Sequence, residues 1–315
     1  MIEASQARVI GRTRDRVGES PVWDVAAQAL YWVDIEGRAI RRFDWGSEQV
    51  QSWTTAERVG CIALTNRGSL VAAMESGVFE IEWLDAPQVR SRLLAPVRHA
   101  SVGMRFNDGR CDAQGRFWIG SMVMDMGLAA AQGALYVLDE AGLSEPVVSG
   151  LITPNGLAFS GDGRRAYLSD SHPSVQQIWT LTRDPHTGAL SERRPWVDMR
   201  PLPGRPDGAA IDEEDHYWIC ANDAGLVHRF SPAGELLQSL AVPVPKPAMC
   251  CFGGPGLRTL FVTSIRSPGA AEGGLEGALF AFDMPVAGRP EPRFSRFPGP
   301  PSALAGNLPA DHRTT

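Results

Sequence analysis

The chain repeats one strand–turn–strand unit about every 50 residues. In each unit a short apolar run is followed by a polar turn and then by a second run rich in Trp, Tyr, Phe or Ile. Asn107 and Asn155 begin units 48 residues apart, and Asn155 and Asp207 begin units 52 apart. Six copies can be traced, beginning near Ser20, Gly60, Asn107, Asn155, Asp207 and Cys251. Repeats of ~40–50 residues with about four strands each are typical of propeller blades. The sequence therefore predicts an all-β, six-bladed β-propeller.

The apolar runs are short and are cut by Gly and Asp turns, which favours strands over helices. A chain of 315 residues is long enough for two average domains, yet propellers of this size form one. No linker or compositional break separates the copies. We therefore expect residues 1–285 to form a single propeller domain and the Pro-rich residues 286–315 to form a partly irregular extension.

Four polar residues, Glu19, Asn107, Asn155 and Asp207, occupy the same phase of the repeat. Each precedes a first strand and lies at the end opposite to the hairpin turn. Because the first strand of a blade is the innermost, these side chains are expected to converge on one mouth of the central channel. Taken singly, each is an ordinary turn or loop residue. Together they favour a site for one divalent cation, since converging buried carboxylates need a cation to offset desolvation and repulsion.

Composition excludes several classes of function. The net charge of −6 and the pI of about 5.6 argue against nucleic-acid binding. We find neither an apolar run of membrane-spanning length nor an N-terminal secretory signal. The five cysteines are odd in number and match no zinc spacing, so we interpret them as buried thiols of a reducing compartment. We expect a cytoplasmic protein with no membrane or nucleic-acid partner, as a monomer or small homo-oligomer.

Over roughly residues 15–285 the chain resembles the SMP-30/gluconolactonase/luciferin-regenerating-enzyme family of six-bladed propeller lactonases. The resemblance depends on five motifs: Gly18-Glu-Ser-Pro-Val-Trp23, Arg105-Phe-Asn-Asp-Gly109, Asn155-Gly-Leu-Ala-Phe-Ser160, Pro206-Asp-Gly208 and Cys250-Cys-Phe-Gly-Gly254. It implies metal-dependent hydrolysis of sugar-acid lactones, such as aldono-1,5- or 1,4-lactones, to the free acids.

The resemblance also implies roles for individual residues. Glu19, Asn155 and Asp207 would hold one divalent metal, and Asp207 would also serve as the general base. Arg105 and Asn107 would contact the substrate. Animal members of the family carry Glu where this chain has Asp125, so Asp125 is expected either to contact a substrate hydroxyl or to be an exposed lid residue.

The implied ligands are all oxygen atoms, which suit Ca²⁺, Mg²⁺ or Mn²⁺, while Zn²⁺ and Fe²⁺ also accept carboxylates. The sequence thus leaves the identity of the metal open. Covalent catalysis is disfavoured, because Ser20 lies in no G-x-S-x-G elbow. The loop over residues 122–133 is longer than its counterparts and either caps the channel mouth or is a plain linker.

Two alternative functions stay open. One is an aryl-ester or organophosphate hydrolase of the paraoxonase type, although Arg105 and Asn107 favour a polyol over an apolar ester. The other is a non-catalytic propeller that binds calcium or acts as a scaffold. Polar residues inside a channel are poorly placed to contact a partner protein, which favours the lactonase.

Overall fold

The computed structural model describes residues 7–83 and 87–299. Within these residues the strands form six antiparallel sheets, each of which is one blade of a propeller. The predicted all-β, six-bladed fold is therefore confirmed. Two short 3₁₀ turns, Met126–Leu128 and Pro255–Leu257, are the helical elements of the described chain, and neither is long and apolar enough to cross a membrane.

The blades follow the order of the chain after an initial strand, β1 (Arg8–Ile10). Blade I comprises β2 (Gly18–Asp24), β3 (Ala29–Asp34), β4 (Ala39–Asp44) and β5 (Val50–Thr54). Blade II comprises β6 (Val59–Leu64), β7 (Leu70–Met74), β8 (Gly77–Trp83) and β9 (Val89–Pro96). Blade III comprises β10 (Met104–Cys111), β11 (Phe117–Val123), β12 (Gly133–Asp139), β13 (Gly142–Leu143) and β14 (Val148–Leu151). Blade IV comprises β15 (Pro154–Phe159), β16 (Arg165–Asp170), β17 (Gln177–Arg183) and β18 (Leu190–Asp198). Blade V comprises β19 (Arg205–Ile211), β20 (Tyr217–Asn222), β21 (Leu226–Phe230) and β22 (Leu236–Ala241). Blade VI comprises β23 (Pro247–Gly253), β24 (Thr259–Ser264) and β25 (Leu279–Asp283).

Blade VI is completed by the beginning of the chain. Strand β1 pairs antiparallel with β25, with Arg8 opposite Ala281 and Ile10 opposite Leu279. The first strands of successive blades contact one another, from β2 through β6, β10, β15, β19 and β23 back to β2. These six strands line the channel, and the shared blade closes the ring without a free sheet edge between its first and last blades.

The core lies between the blades. The first two strands of a blade are packed on both faces, which explains why they read as continuous apolar runs, such as Ala29–Asp34 and Leu70–Met74. Large aromatic side chains fill the space between the sheets, with Trp32, Trp118 and Trp218 almost fully buried. All five cysteines lie in the described part and are free, buried thiols.

Every innermost strand contains a β-bulge near its beginning. In blade III, Phe106 pairs with Ser121 and Gly109 with Ile119, so that two residues of β10 lie opposite one residue of β11. The pairing registers of the other five innermost strands shift in the same region. A bulge re-aims the side chains around it, so this repeated irregularity determines where the polar residues of the channel point.

The chain after blade VI crosses the end of the propeller at which the innermost strands finish. We call residues 285–297 the C-terminal strap. Its backbone is hydrogen-bonded to blade VI through Gly288 N and Leu257 O at 2.8 Å, and to blade V through Glu213 N and Ala287 O at 2.9 Å. Further along, Phe294 N donates to Leu64 O of blade II at 2.7 Å.

Side chains of the strap secure this crossing. Phe294 is fully buried among apolar residues of blades II and III. Glu291 forms a salt bridge of 3.3 Å with Arg110, which projects from the innermost strand of blade III. Glu291 and Pro292 also line a void of about 10 Å³ at this end of the channel. The strap therefore covers one end of the channel, and in the described part of the chain the other end is the entrance.

Candidate active site

The polar residues predicted from the repeat lie at the end of the channel opposite to the C-terminal strap, which we call the site face. This is the end at which the innermost strands begin, and Glu19, Asn155 and Asp207 are the second or third residues of β2, β15 and β19. Asn155 and Asp207 are buried, while Glu19 is partly exposed. The loops that follow the second strand of each blade surround the same face.

The four repeat positions are not equivalent, and the prediction of a single shared phase was wrong by one residue. Glu19 and Asn155 are the last paired residues before their bulges. Asn107 and Asp207 are instead the first residues inside their bulges. The residues that follow Glu19 and Asn155, Ser20 and Gly156, adopt left-handed φ angles of 49° and 64°. The two kinds of bulge thus bring side chains whose positions in the repeat differ by one residue to the same end of the channel.

Hydrogen bonds join three of the predicted residues across blades III and IV. Arg105 Nη1 donates to Asn107 Oδ1 at 2.7 Å, and Asn107 Nδ2 donates to Asn155 Oδ1 at 2.8 Å. Asn155 Nδ2 in turn donates to Ser171 Oγ at 2.7 Å. This chain of contacts orients both amides and leaves the second lone pair of Asn155 Oδ1 for another partner.

Asp207 is held by a neighbour in its own blade. Asn222 Nδ2 donates to Asp207 Oδ2 at 2.7 Å, and the same nitrogen donates to Pro247 O at 3.2 Å. No hydrogen bond from the described residues reaches Asp207 Oδ1. One oxygen of this carboxylate is therefore fixed within the protein, and the other is left for a ligand.

Glu19 and Asp207 repel each other electrostatically at the mouth of the channel. Burial raises the pKa of Glu19 well above its ordinary value, and the charges of Asp207 and Asp108 raise it further. Burial also raises the pKa of Asp207 to about 7, against an opposing effect of Arg205. Within the described residues neither carboxylate forms a salt bridge, since Arg205 is paired with Asp223. The site thus holds two acidic groups that resist ionisation and have no salt-bridge partner among the described residues.

This donor set fits a divalent cation. It combines two carboxyl groups and an amide oxygen, and Asp108 Oδ1 is a further buried oxygen with no hydrogen-bond partner among the described residues. Oxygen ligands of this kind suit hard divalent ions. A bound dication would offset the repulsion and desolvation that raise the pKa of Glu19 and Asp207. The donor set does not distinguish between Ca²⁺, Mg²⁺, Mn²⁺, Zn²⁺ and Fe²⁺.

Asp125 lies apart from this network. It is exposed, and its carboxylate accepts a hydrogen bond of 3.0 Å from Gly127 N, which caps the short 3₁₀ turn Met126–Leu128. The loop that carries it begins beside the site, because Met122 pairs with Arg105. His172 Nε2 of blade IV lies 3.2 Å from Met126 O. The loop therefore borders the site face, and the contact of Asp125 with substrate stays a prediction.

A second group of potential metal ligands lies at the opposite end of blade V. The ligand atoms of Asp212, Glu214 and His216 lie within 4.8 Å of one another, the one such group of at least three His, Cys, Asp or Glu side chains in the described chain. Arg229 Nη2 occupies its centre, 2.6 Å from Asp212 Oδ2, 2.7 Å from Glu214 Oε2 and 2.9 Å from His216 Nδ1.

The arrangement around Arg229 recurs in blade III, which indicates a structural brace. There Asp112 Oδ2 accepts from Trp118 Nε1 at 2.9 Å and is paired with Arg183. In blade V, Asp212 Oδ2 accepts likewise from Trp218 Nε1 at 2.9 Å. Because a guanidinium already supplies the positive charge in each case, we assign both groups to blade packing and not to metal binding.

Sequence reasoning missed four residues that support the candidate site: Asp108, Ser171, Arg205 and Asn222. Asp108 follows Asn107 directly, and its Oδ2 accepts a hydrogen bond of 2.8 Å from Leu157 N in the next blade. It could have been noticed as a second carboxyl group in the Asn107 motif. Ser171 and Asn222 lie at or just beyond the ends of second strands, where the repeat gave no signal.

The family model described as the SMP-30/Gluconolactonase/LRE-like region matches residues 17–266. The chain belongs to the SMP-30/gluconolactonase/LRE-like family. The 6-deoxy-6-sulfogluconolactonase of Pseudomonas putida is 36% identical over 283 residues, which cover 89% of this chain and 95% of that protein. Pentonolactonase XacC of Haloferax volcanii is 32% identical over 288 residues, which cover 89% and 94% of the two chains.

The solved structures agree with this family in fold. The crystal structure of a calcium-binding protein, regucalcin, from Agrobacterium tumefaciens matches with a TM-score of 0.85 at 24% identity, over 92% of this chain and 97% of that chain. At this level of identity the likeness shows the propeller fold. Membership of the SMP-30/gluconolactonase/LRE-like family is shown by the family model, which matches residues 17–266.

Proposed function

We propose that this chain hydrolyses the lactone of a sugar acid to the free acid, with one divalent cation held by Glu19, Asn155 and Asp207. The observation that carries the proposal is the position of two carboxyl groups, Glu19 and Asp207, and the amide oxygen of Asn155 at the beginnings of innermost strands on the site face, with no salt bridge to either carboxyl group among the described residues. The relatives named as sulfogluconolactonase and pentonolactonase support a lactone-hydrolysing enzyme.

When bound, the cation would supply Lewis-acid chemistry, polarising the lactone carbonyl and stabilising the negative charge that develops on its oxygen. Side chains of the protein would accept the proton and hold the ligands in place. Asp207 Oδ1 would accept a proton from the attacking water, while Asn222 holds Oδ2 in place at 2.7 Å. Asn155 would contribute an uncharged ligand, which limits the repulsion within the donor set.

Arg105 is the proposed substrate contact at the mouth. Its Nη1 is engaged by Phe106 O and Asn107 Oδ1, at 2.8 Å and 2.7 Å, and its Nε has no partner in the described residues. A guanidinium fixed at one edge can present its other N–H groups to hydroxyl or ring oxygens of a polyol. Both donors of Asn107 bond to protein atoms, so Asn107 would act chiefly by orienting Arg105 and Asn155.

The test is a pH-drop assay over pentonic and hexonic lactones with enzyme that has been stripped of metal and reloaded with single ions. We expect turnover with at least one ion and its loss on chelation. Turnover that survives complete chelation would contradict the metal-dependent mechanism. Absence of lactone turnover, with binding of the cation retained, would favour a non-catalytic propeller, and faster turnover of aryl esters would favour the paraoxonase-type alternative.

A further inference from the structure

Arg205 connects the supports of two candidate ligands that lie in different blades. It is the first residue of β19, at the site face between blades IV and V. Each of its three guanidinium nitrogens donates a hydrogen bond: Nε to Asp223 Oδ2 at 2.7 Å, Nη1 to Ser171 O at 3.0 Å and Nη2 to Asn222 Oδ1 at 3.2 Å. A guanidinium whose nitrogens are all hydrogen-bonded is held in one orientation. We call Arg205 together with these three hydrogen bonds the Arg205 bracket.

One branch of the bracket leads to Asn155. Arg205 holds the backbone carbonyl of Ser171, and the hydroxyl of the same serine accepts from Asn155 Nδ2 at 2.7 Å. The serine hydroxyl itself donates to Thr153 O at 3.4 Å, so it meets Asn155 as an acceptor, and Asn155 Oδ1 accepts from Asn107 Nδ2 at 2.8 Å. Because Nδ2 is directed to the serine, Oδ1 is the atom presented to the channel.

The other branch leads to Asp207. The amide of Asn222 is fixed in one orientation, since its Oδ1 accepts from Arg205 and its Nδ2 donates to Asp207 Oδ2 and Pro247 O. A flipped amide would place two oxygens against each other at Asp207 and two donors against each other at Arg205. Arg205 therefore holds the Asn222 amide, from its oxygen side, in the orientation in which it donates to Asp207.

We propose that Arg205 is a positioning residue that orients Asn155 and Asp207 together for cation binding. This inference rests on the cation site proposed above and goes beyond it, because Arg205 contacts neither ligand. Hydrogen-bond partners of metal ligands typically affect metal affinity or activity by about 10- to 100-fold. Here a single side chain would exert that effect on two ligands at once.

The charge of Arg205 and its positioning role predict opposite effects on cation affinity when Arg205 is removed. Arg205 is a positive charge close to Asp207, so its electrostatic effect opposes the binding of a dication. Removal of that charge alone would strengthen cation binding. If Arg205 acts by positioning, its removal weakens cation binding in spite of the lost repulsion.

The experiment is titration calorimetry of the metal-stripped full chain with Ca²⁺, Mg²⁺, Mn²⁺, Zn²⁺ and Fe²⁺ in separate runs, in the absence of substrate. We expect Arg205→Gln to weaken binding of the ion that the wild type binds by about 10- to 100-fold. Arg205→Lys, which keeps the charge but cannot span both branches, should also weaken it. The matched control is Arg165→Gln, since Arg165 Nη1 joins the same two blades at the opposite end through Pro232 O at 2.8 Å. The control should bind the cation as the wild type does.

Affinity that is unchanged or increased in Arg205→Gln would overturn the positioning role and leave the proposed lactonase standing. If that variant does not fold, Arg205→Lys decides: a loss of affinity supports the role and an unchanged affinity overturns it. A folded wild-type protein that binds none of these five ions would overturn this inference together with the cation site. An equal loss in Arg165→Gln would show a general effect of joining blades IV and V, and would also overturn it.

Discussion

Asn107 of blade III donates a hydrogen bond to Asn155 of blade IV, from Nδ2 to Oδ1 over 2.8 Å. This bond links the residue that orients Arg105 to a proposed cation ligand. The proposed substrate contact and the proposed cation ligand thereby belong to one hydrogen-bond network. A substitution at either one should alter the orientation of the other.

Asp207 is expected to be essential for turnover. Asp207→Asn keeps the shape of the side chain but removes the base and one neutralising charge, so kcat should fall by about 10²–10⁴-fold. Steady-state lactonase assays at saturating cation would measure the loss, and circular dichroism would check the fold. Near-wild-type kcat in the cation-loaded variant would rule out Asp207 as the base.

Glu19 is expected to contribute mainly to cation affinity. Glu19→Gln removes one of the two carboxylate charges while retaining an oxygen donor, so calorimetric affinity for the cation should fall by about 10-fold or more. Excess cation should restore part of the lactonase activity. If affinity is unchanged, Glu19 is not a ligand.

The cation should stabilise the protein more at high pH than at low pH. The pKa of Asp207 is raised to about 7 and that of Glu19 is raised well above its ordinary value, in both cases chiefly by burial. In the cation-free protein these groups therefore bind more protons when folded than when unfolded. Their contribution to stability is present below the ordinary pKa and declines as pH rises toward the raised values.

A bound cation has to displace those protons, so it competes poorly in acid. We expect the increase in Tm on adding the cation to be larger near about pH 8 than near about pH 5. Asp207→Asn should reduce this pH dependence, because the variant lacks one of the two titrating groups. A larger increase at the lower pH would contradict the assignment.

Gly156 is expected to tolerate no side chain. Its φ is 64°, and an added Cβ would lie 2.5 Å from Tyr217 Oη and 2.7 Å from Ser169 Oγ. Gly156→Ala should therefore lower the free energy of unfolding by about 1–3 kcal/mol beyond the cost of the left-handed backbone. It should also weaken cation binding, since the bulge that aims Asn155 would move.

Gly150 provides the matched control for that substitution. Its φ of 78° imposes a similar backbone cost, but nothing lies within 4 Å of an added Cβ. Denaturant unfolding of Gly150→Ala would isolate the conformational cost. Equal effects of the two substitutions would show that close packing at Gly156 does not hold the bulge.

Phe294 is expected to secure the C-terminal strap without affecting catalysis. The ring is fully buried against blades II and III, so Phe294→Ala should cost about 3–5 kcal/mol of unfolding free energy. Phe297→Ala should cost less, because that ring is only partly buried. In the folded fraction, kcat should be unchanged, since the strap covers the end of the channel away from the site. A selective loss of kcat would contradict this separation.

The sequence by itself determined the number of blades and the end of the channel at which polar residues gather. Strand and turn preferences are local, so a period of about 50 residues and runs of Val, Ile and Trp were sufficient to predict six four-stranded units. The same periodicity placed Glu19, Asn107, Asn155 and Asp207 at the beginnings of innermost strands.

Only the tertiary structure decided how those residues meet. The bulges arise from pairing between strands, and they separate Glu19 and Asn155 from Asn107 and Asp207 by one position. Arg205 reaches Ser171 across 34 residues, and Phe294 reaches Leu64 from the far end of the chain. Such contacts depend on which blades become neighbours in the closed ring. A local pattern of residues does not encode contacts between residues so far apart in the chain.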